Sequence, residues 1–342
     1  MATAPVPDAR ELDRYGFAPG KELASPARSE TEQLALARRE NARSLKWRAM
    51  ISDWSTFAHG AGRKKLKARV RKGIPDGLRG HVWQVASGAM VAHRAQPGRY
   101  HALLERPSPM DGAIVKDLHR TMPQHVQFQP GADGQRQLFN VCHALAVHSP
   151  EVGYNQAEAY VVATLLTYMT EEDAFWMLEH MSAACGQGAL WRERMDGWME
   201  SRAKLDALVA AKLPRLHRHL ADHGVTADLY AMQWFLTLYA KDFPFESTLR
   251  VWDVLLCEPP PKGAKVLFRV ALAVLAAGER ELLKMHDVEQ LTTHIRRLPA
   301  TSPALHGDAL MARAFAISLK SRALFPVPAA RGAGPSGASQ LP

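Results

Sequence analysis

Apolar residues recur along this chain at helical spacing, and strand-like alternation is rare. Thr31 to about Trp54 carries helix-forming residues, with Leu34, Leu45, Trp47, Met50 and Trp54 as its bulky apolar positions. Ile74 and Pro75 are expected to open another helix, because proline in a first turn gives up only a donor that has no partner there. Leu78, Val82 and Val85 then follow at i, i+4 and i+7, with Ala86 and Ala89 beside them, an apolar stripe on one face. The stretches 137–148, 156–169, 171–184, 204–213, 229–241 and 246–256 read the same way. So does 266–283, where Arg269 alone interrupts an apolar first half. Pro214, Pro244 and Pro259–Pro261 punctuate these segments. No repeat of 20–50 residues is visible, which argues against a solenoid. The pattern predicts an all-α fold.

Composition sharpens the outline at both ends. Residues 1–28 are rich in Ala, Pro and mixed charge and are expected to form a mobile lead-in, and residues 326–342 (PVPAARGAGPSGASQLP) a disordered tail. Between them, 29–325 is long enough for a substantial core. The chain is 47% hydrophobic and 23% charged, ordinary globular proportions. Its eight Trp and thirteen Met read as core fillers. Cys142, Cys185 and Cys257 are far apart and show no CxxC spacing, so neither a disulfide framework nor a zinc site is expected, and a reducing setting fits. The first residues contain no apolar segment typical of a secretory signal, and runs such as 159–169 are too short to cross a bilayer. A soluble protein is expected.

The formal charge of +9 is concentrated. Residues 63–72 (RKKLKARVRK) hold seven basic side chains and no acid, leaving the rest of the chain at about +2. This patch reads as a solvated approach to a helix or as a contact for an acidic surface. Nucleic-acid binding ranks lower, since no recognition helix or aromatic stacking platform accompanies it.

Two short motifs carry the candidate chemistry. In IVKDLHRT, Ile114, Leu118 and Thr121 share one helical face, while Asp117 and Arg120 are surface neighbours three residues apart. Pro123 ends that helix soon after, so the arginine sits near a helix end beside a carboxylate that orients it. Taken alone, this is also the pattern of an ordinary surface ion pair. In PEVGYNQ, Gly153 permits an unusual backbone angle and Gln156 heads the next helix. Its carboxamide both donates and accepts, as positioning a water requires, although a helix start uses such a group too. A phosphate-binding GxxxxGK[ST] loop is missing from the sequence. Fifteen His form no HExxH, and His217 and His219, two apart, point to different sides of a helix, so no metal site is expected.

RVRKGIPDGLRGHVW (69–83), IVKDLHRTMPQHVQF (114–128), LFNVCHALAVHSPEVGYNQ (138–156) and YAMQWFLTLYAKDFPFESTLRVWDVLL (230–256) occur in this order. Together they resemble the successive signatures of the TBC domain family, GTPase-activating proteins for Rab GTPases. DRYGF (13–17), EEDAFW (171–176) and KVLFRVALAVL (265–275) extend the resemblance, which covers roughly residues 40–300. It implies two helical subdomains forming one V-shaped domain, with the signature core at 73–258. It implies that Arg120, matching IxxDxxR, and Gln156, matching YxQ, enter the GTP site of a bound Rab in trans as an arginine finger and a glutamine finger. Asp117 and Tyr154 match the positions around the fingers and take supporting roles. Arg79, Trp83, Trp234, Trp252 and Asp253 also match, and helix packing explains them as well. GTP and Mg²⁺ belong to the partner, and no cofactor of the chain's own is expected. The resemblance further implies a cytoplasmic protein, peripheral to endomembranes through its partner, with the basic patch as an aid.

One departure bears on activity. The family usually continues the glutamine with Gly and an apolar residue, whereas here Ala157 and Glu158 follow. Ala157 adds a methyl group where a partner's backbone approaches. Glu158 is expected to add negative charge near an already anionic ligand, although an acid in a first turn suits the helix. The alternative is therefore a catalytically weak scaffold that binds a GTPase or adaptor.

Overall fold

The computed structural model describes residues 12–18, 20, 23–25, 28–183, 188–192, 194–259 and 262–319. Among them thirteen helices have eight residues or more: α1 (Glu30–Ser52), α2 (Gly62–Lys72), α3 (Arg79–Ser87), α4 (Asp111–Leu118), α5 (Asp133–His148), α6 (Gln156–Leu166), α7 (Glu171–Ala183), α8 (Asp196–Lys212), α9 (Pro214–Asp222), α10 (Phe245–Cys257), α11 (Lys265–Leu282), α12 (Val288–Thr301) and α13 (Gly307–Ala316). The described residues form no β-strand, only an isolated antiparallel bridge between Phe17 and His125. The all-α expectation holds. Cys185 and the tail at 326–342 lie outside the described residues.

Helices α4, α6 and α7 pack around α5, while α12 and α13 pack on α11, and α8 against α9. Helix α10 joins the two groups, lying against α2 and α3 on one side and α11 and α13 on the other. Its central residues, from Phe245 to Leu256, are almost all buried. Trp47, Trp83, Trp176, Trp234 and Trp252 are fully buried in one continuous apolar cluster. Large aromatic side chains contribute heavily to such a core through the area they remove from water.

Four local expectations change. The helix expected over 229–241 breaks into Ala227–Tyr230 and Met232–Leu236, after which Leu238 and Tyr239 take positive φ of 48° and 72°. Neighbouring side chains take the carbonyls that a helix would have used: Trp191 Nε1 donates to Leu236 O at 2.8 Å, Trp252 Nε1 to Leu238 O at 2.9 Å, and Thr248 Oγ1 to Tyr239 O at 3.0 Å. Ile74 and Pro75 precede a 3₁₀ turn at Asp76–Leu78, and the α-helix starts only at Arg79. Both polar groups of Ile74 are bound from elsewhere, its N–H to Asp253 at 3.2 Å and its carbonyl to Arg79 at 3.0 Å.

The basic patch is itself a helix, α2, rather than an approach to one. Leu66 and Val70 face the core, while Arg71 reaches Glu258 at 2.7 Å and covers the Phe315 ring at 4.1 Å. Lastly, the expected lead-in at 1–28 contains packed residues. Phe17 is fully buried, Ala18 N–H donates to Gln124 O at 3.3 Å, and Val126 N–H donates to Gly16 O at 3.0 Å. His125 Nε2 adds a 2.7 Å contact to Tyr15 O, so residues 15–18 strap the segment that follows Arg120.

Candidate functional site

Helix α4 ends at Leu118, and Arg120 lies in the turn beyond it rather than within the helix. Arg120 N–H donates to Asp117 O at 3.1 Å, Thr121 N–H to Leu118 O at 3.3 Å, and Thr121 Oγ1 to Asp117 O at 2.9 Å. These bonds tighten the last turn and satisfy carbonyls that a helix end leaves open. Buried Met122 then takes a positive φ of 46°, which redirects the chain before Pro123. The guanidinium of Arg120 forms an ion pair with Asp117. The arginine side chain stays 55% exposed, while the Asp117 side chain is 13% exposed.

Asp117 is held from its other side. Tyr154 Oη donates to Asp117 Oδ2 at 3.1 Å. Burial, reinforced by the neighbouring Cys142 and Asp117 groups, pushes the Tyr154 phenol far above its usual range, so it stays a donor. Tyr160 Oη, also pushed up mainly by burial, donates to Arg120 O at 2.9 Å. The main chain and the side chain of the Arg120 turn are thus each tied to the segment that carries Gln156. Lys241 Nζ stands 5.6 Å from the centre of the Tyr160 ring, adding a second cation to this side.

Gln156 is the first residue of α6, as the sequence predicts. Val152 N–H and Gly153 N–H both donate to Ser149 O at 3.0 Å, and Gly153 adopts φ +68°, a conformation that costs glycine little. Asn155 is the N-cap. Its Oδ1 accepts from Ala157 N–H at 2.9 Å and Glu158 N–H at 3.3 Å, while its Nδ2 donates to Trp191 O at 3.1 Å. Gln156 itself is half-buried, and its carboxamide makes no hydrogen bond to the described residues. It lines a groove of about 620 Å³ with Tyr154, Asn155, Ala157, Trp191 and Arg192.

The structure corrects the expectation for Glu158. Its side chain turns inward, where the carboxylate accepts from Asn155 N–H at 3.1 Å and closes a capping box with Asn155. Burial raises its pKa to about 8, only partly offset by that bond. It therefore brings no exposed negative charge to the groove. Ala157, 7% exposed, does lie on the groove wall.

Sequence reasoning passed over Asn155 and Tyr160. The Asn155–Glu158 spacing is a readable capping signature, whereas the reach of Tyr160 to Arg120 is a tertiary contact with no local signal. Arg79, Trp83 and Asp253 sit elsewhere, in a buried knot. Asp253, fully buried, accepts from Arg79 Nε and Trp83 Nε1 at 3.1 Å each and from Arg250 at 2.9 Å. That knot anchors α3 on α10. Burial also pushes the Cys142 and Cys257 thiols well up, away from nucleophilic use.

The comparisons with known proteins point the same way. Residues 76–283 match the Rab-GTPase-TBC domain model. TBC1 domain family member 10A of Mus musculus is 34% identical over 307 residues, covering 88% of this chain and 59% of that protein. TBC1 domain family member 10B of Homo sapiens is 35% identical over 300 residues, covering 85% of this chain and 35% of that protein. The chain thus spans less than two thirds of either relative. The solved Chlamydomonas flagellar RabGAP TBC domain superposes with a TM-score of 0.70 at 29% identity, over 89% of this chain and 99% of that one.

Proposed function

The chain belongs to the Rab-GTPase-TBC domain family, and on that premise we propose that it accelerates GTP hydrolysis by a Rab-type small GTPase in its GTP state. The observation that carries this reading is the contrast within one ion pair. The Asp117 carboxylate is largely buried and held by Tyr154, while the guanidinium it orients is more than half exposed. A cation aimed this way loses little freedom when it enters a second protein's active site. Phosphoryl transfer asks little covalent chemistry of the protein and much positioned charge. In this reading Arg120 stabilises the charge that spreads over the transferring group and the leaving oxygen. Gln156, whose carboxamide has no hydrogen-bond partner among the described residues, orients the attacking water from the head of α6. GTP and Mg²⁺ come with the partner, and the chain reaches endomembranes and their traffic through that partner.

The test is single-turnover GTP hydrolysis across a panel of Rab GTPases with wild type, Arg120→Ala and Gln156→Ala. At least one Rab should respond to wild type, and Arg120→Ala should remove most of the roughly 10³–10⁵-fold that an arginine finger contributes. Full stimulation by Arg120→Ala overturns the mechanism. A Rab that binds tightly without stimulation by wild type establishes the scaffold alternative.

A further inference from the structure

Outside the groove lining, three histidines that are dispersed in sequence meet in space. His219 lies in the last turn of α9, His223 caps that helix one turn on, and His286 comes from the short connection between α11 and α12. One ring nitrogen of each lies within 4.8 Å of the other two, and His286 Nδ1 is 3.3 Å from His223 Nε2. His219 and His223 are half-buried and His286 is exposed. Spacing along the chain hides this group. His217, the nearer neighbour of His219, points away to Asp206 at 3.1 Å.

We propose that His219, His223 and His286 form a binding site for a first-row divalent transition metal ion, with Zn²⁺ as its simplest occupant. Three imidazoles with an open side are a donor set suited to such ions. Two ligands about 2.05 Å from a tetrahedral ion stand about 3.3 Å apart, which is the separation of His223 Nε2 and His286 Nδ1. The remaining separations need to close by at most about 1.5 Å, within reach of ring rotations at half-buried and exposed side chains.

The surroundings prepare two of the rings. His219 Nε2 lies 2.7 Å from Met285 O, and His223 Nδ1 lies 2.8 Å from His219 O. A backbone carbonyl at one ring nitrogen fixes the proton there and leaves the other nitrogen its lone pair, the usual support of a metal-bound histidine. The site also stands at the C-terminal end of α9, where the helix dipole favours a cation. Occupied, it would clip α9 to the connection between α11 and α12, and solvent would complete the coordination shell.

Titrating the tag-free chain with Co²⁺ and displacing it with Zn²⁺ tests the proposal. One equivalent of Co²⁺ should bind with visible d–d absorption, Zn²⁺ should displace it, and Zn²⁺ should raise the Tm. His286→Ala should keep the metal-free Tm, because the side chain is exposed. It should weaken binding by at least the roughly 10–100-fold that loss of an outer-shell partner costs. His217→Ala should bind as wild type does. Failure to saturate at one equivalent, or equal affinity in His286→Ala, overturns the site.

Discussion

Arg120 pairs with Asp117, and Arg250 pairs with Asp253, each across three residues of chain. In the second pair the side chains are 6% and 0% exposed, and Asp253 also receives Arg79, Trp83 and the Ile74 N–H. In the first pair the carboxylate is sheltered but the arginine is 55% exposed. The same two residue types at the same separation therefore do opposite work. Where both partners are enclosed, the charges are consumed in holding α3 to α10. Where only the acid is enclosed, the acid fixes the direction of a cation and leaves its far side unused. Burial of the carboxylate partner separates an aimed arginine from an incidental surface pair, whose stability contribution is about 0–1 kcal/mol.

The contrast can be broken first at Asp253. Asp253→Ala removes the carboxylate shared by two buried guanidiniums, leaving them only the Asp76 and Asp308 carboxylates, and should cost up to about 3–5 kcal/mol in urea unfolding. A loss below about 1 kcal/mol would mean that the knot is not what anchors the two helices. Asp117→Ala should cost less, no more than about 2 kcal/mol, because Arg120 remains hydrated. Its GTPase stimulation should fall far more than its stability. Unchanged stimulation would separate Arg120 from its supposed guide. Tyr154→Phe sharpens the same point with a smaller expected effect, about 0.5–1.5 kcal/mol and a milder kinetic loss than Arg120→Ala. A kinetic loss equal to that of Arg120→Ala would give the phenol a larger part than support.

A separate test concerns pH. Glu158 titrates near 8 when folded, against 4.5 for a free glutamate, so the folded chain retains a proton that the unfolded chain has released between those values. Its contribution to stability therefore declines as pH rises through that window. Relative to Glu158→Gln, wild type should lose stability between pH 5 and pH 8. Parallel unfolding profiles for the two would show that the buried carboxyl does not titrate there.

Much of this arrangement is readable from the chain alone, for a physical reason. Helical periodicity and the turn around Gly153 are local, and they place Gln156 at the head of α6 as expected. The exit of Arg120 from its helix is partly local too, through Pro123. Sequence patterns fail where distant groups compete for the backbone. Donors on Trp191, Thr248 and Trp252 dismantle the expected helix at 229–241, and Asp253 with Arg79 delays the start of α3. The inward turn of Glu158 is an intermediate case. Its capping relation to Asn155 is written in the sequence, but the burial that raises its pKa depends on the packed interior.

The strap of residues 15–18 over 124–126 carries a consequence for where this domain can be cut. The family match begins at residue 76, yet the backing of the arginine-bearing turn comes in part from sixty residues upstream, through Phe17 and its bridge to His125. Proteolytic removal of the residues before 28, or trimming to the matched span, would leave Asp117, Arg120, Tyr154 and Gln156 in place. It would also remove the buried Phe17 ring from beneath the chain that leaves Arg120. Loss of activity in such a fragment would then reflect a loosened turn, with Arg120 and Gln156 both still present.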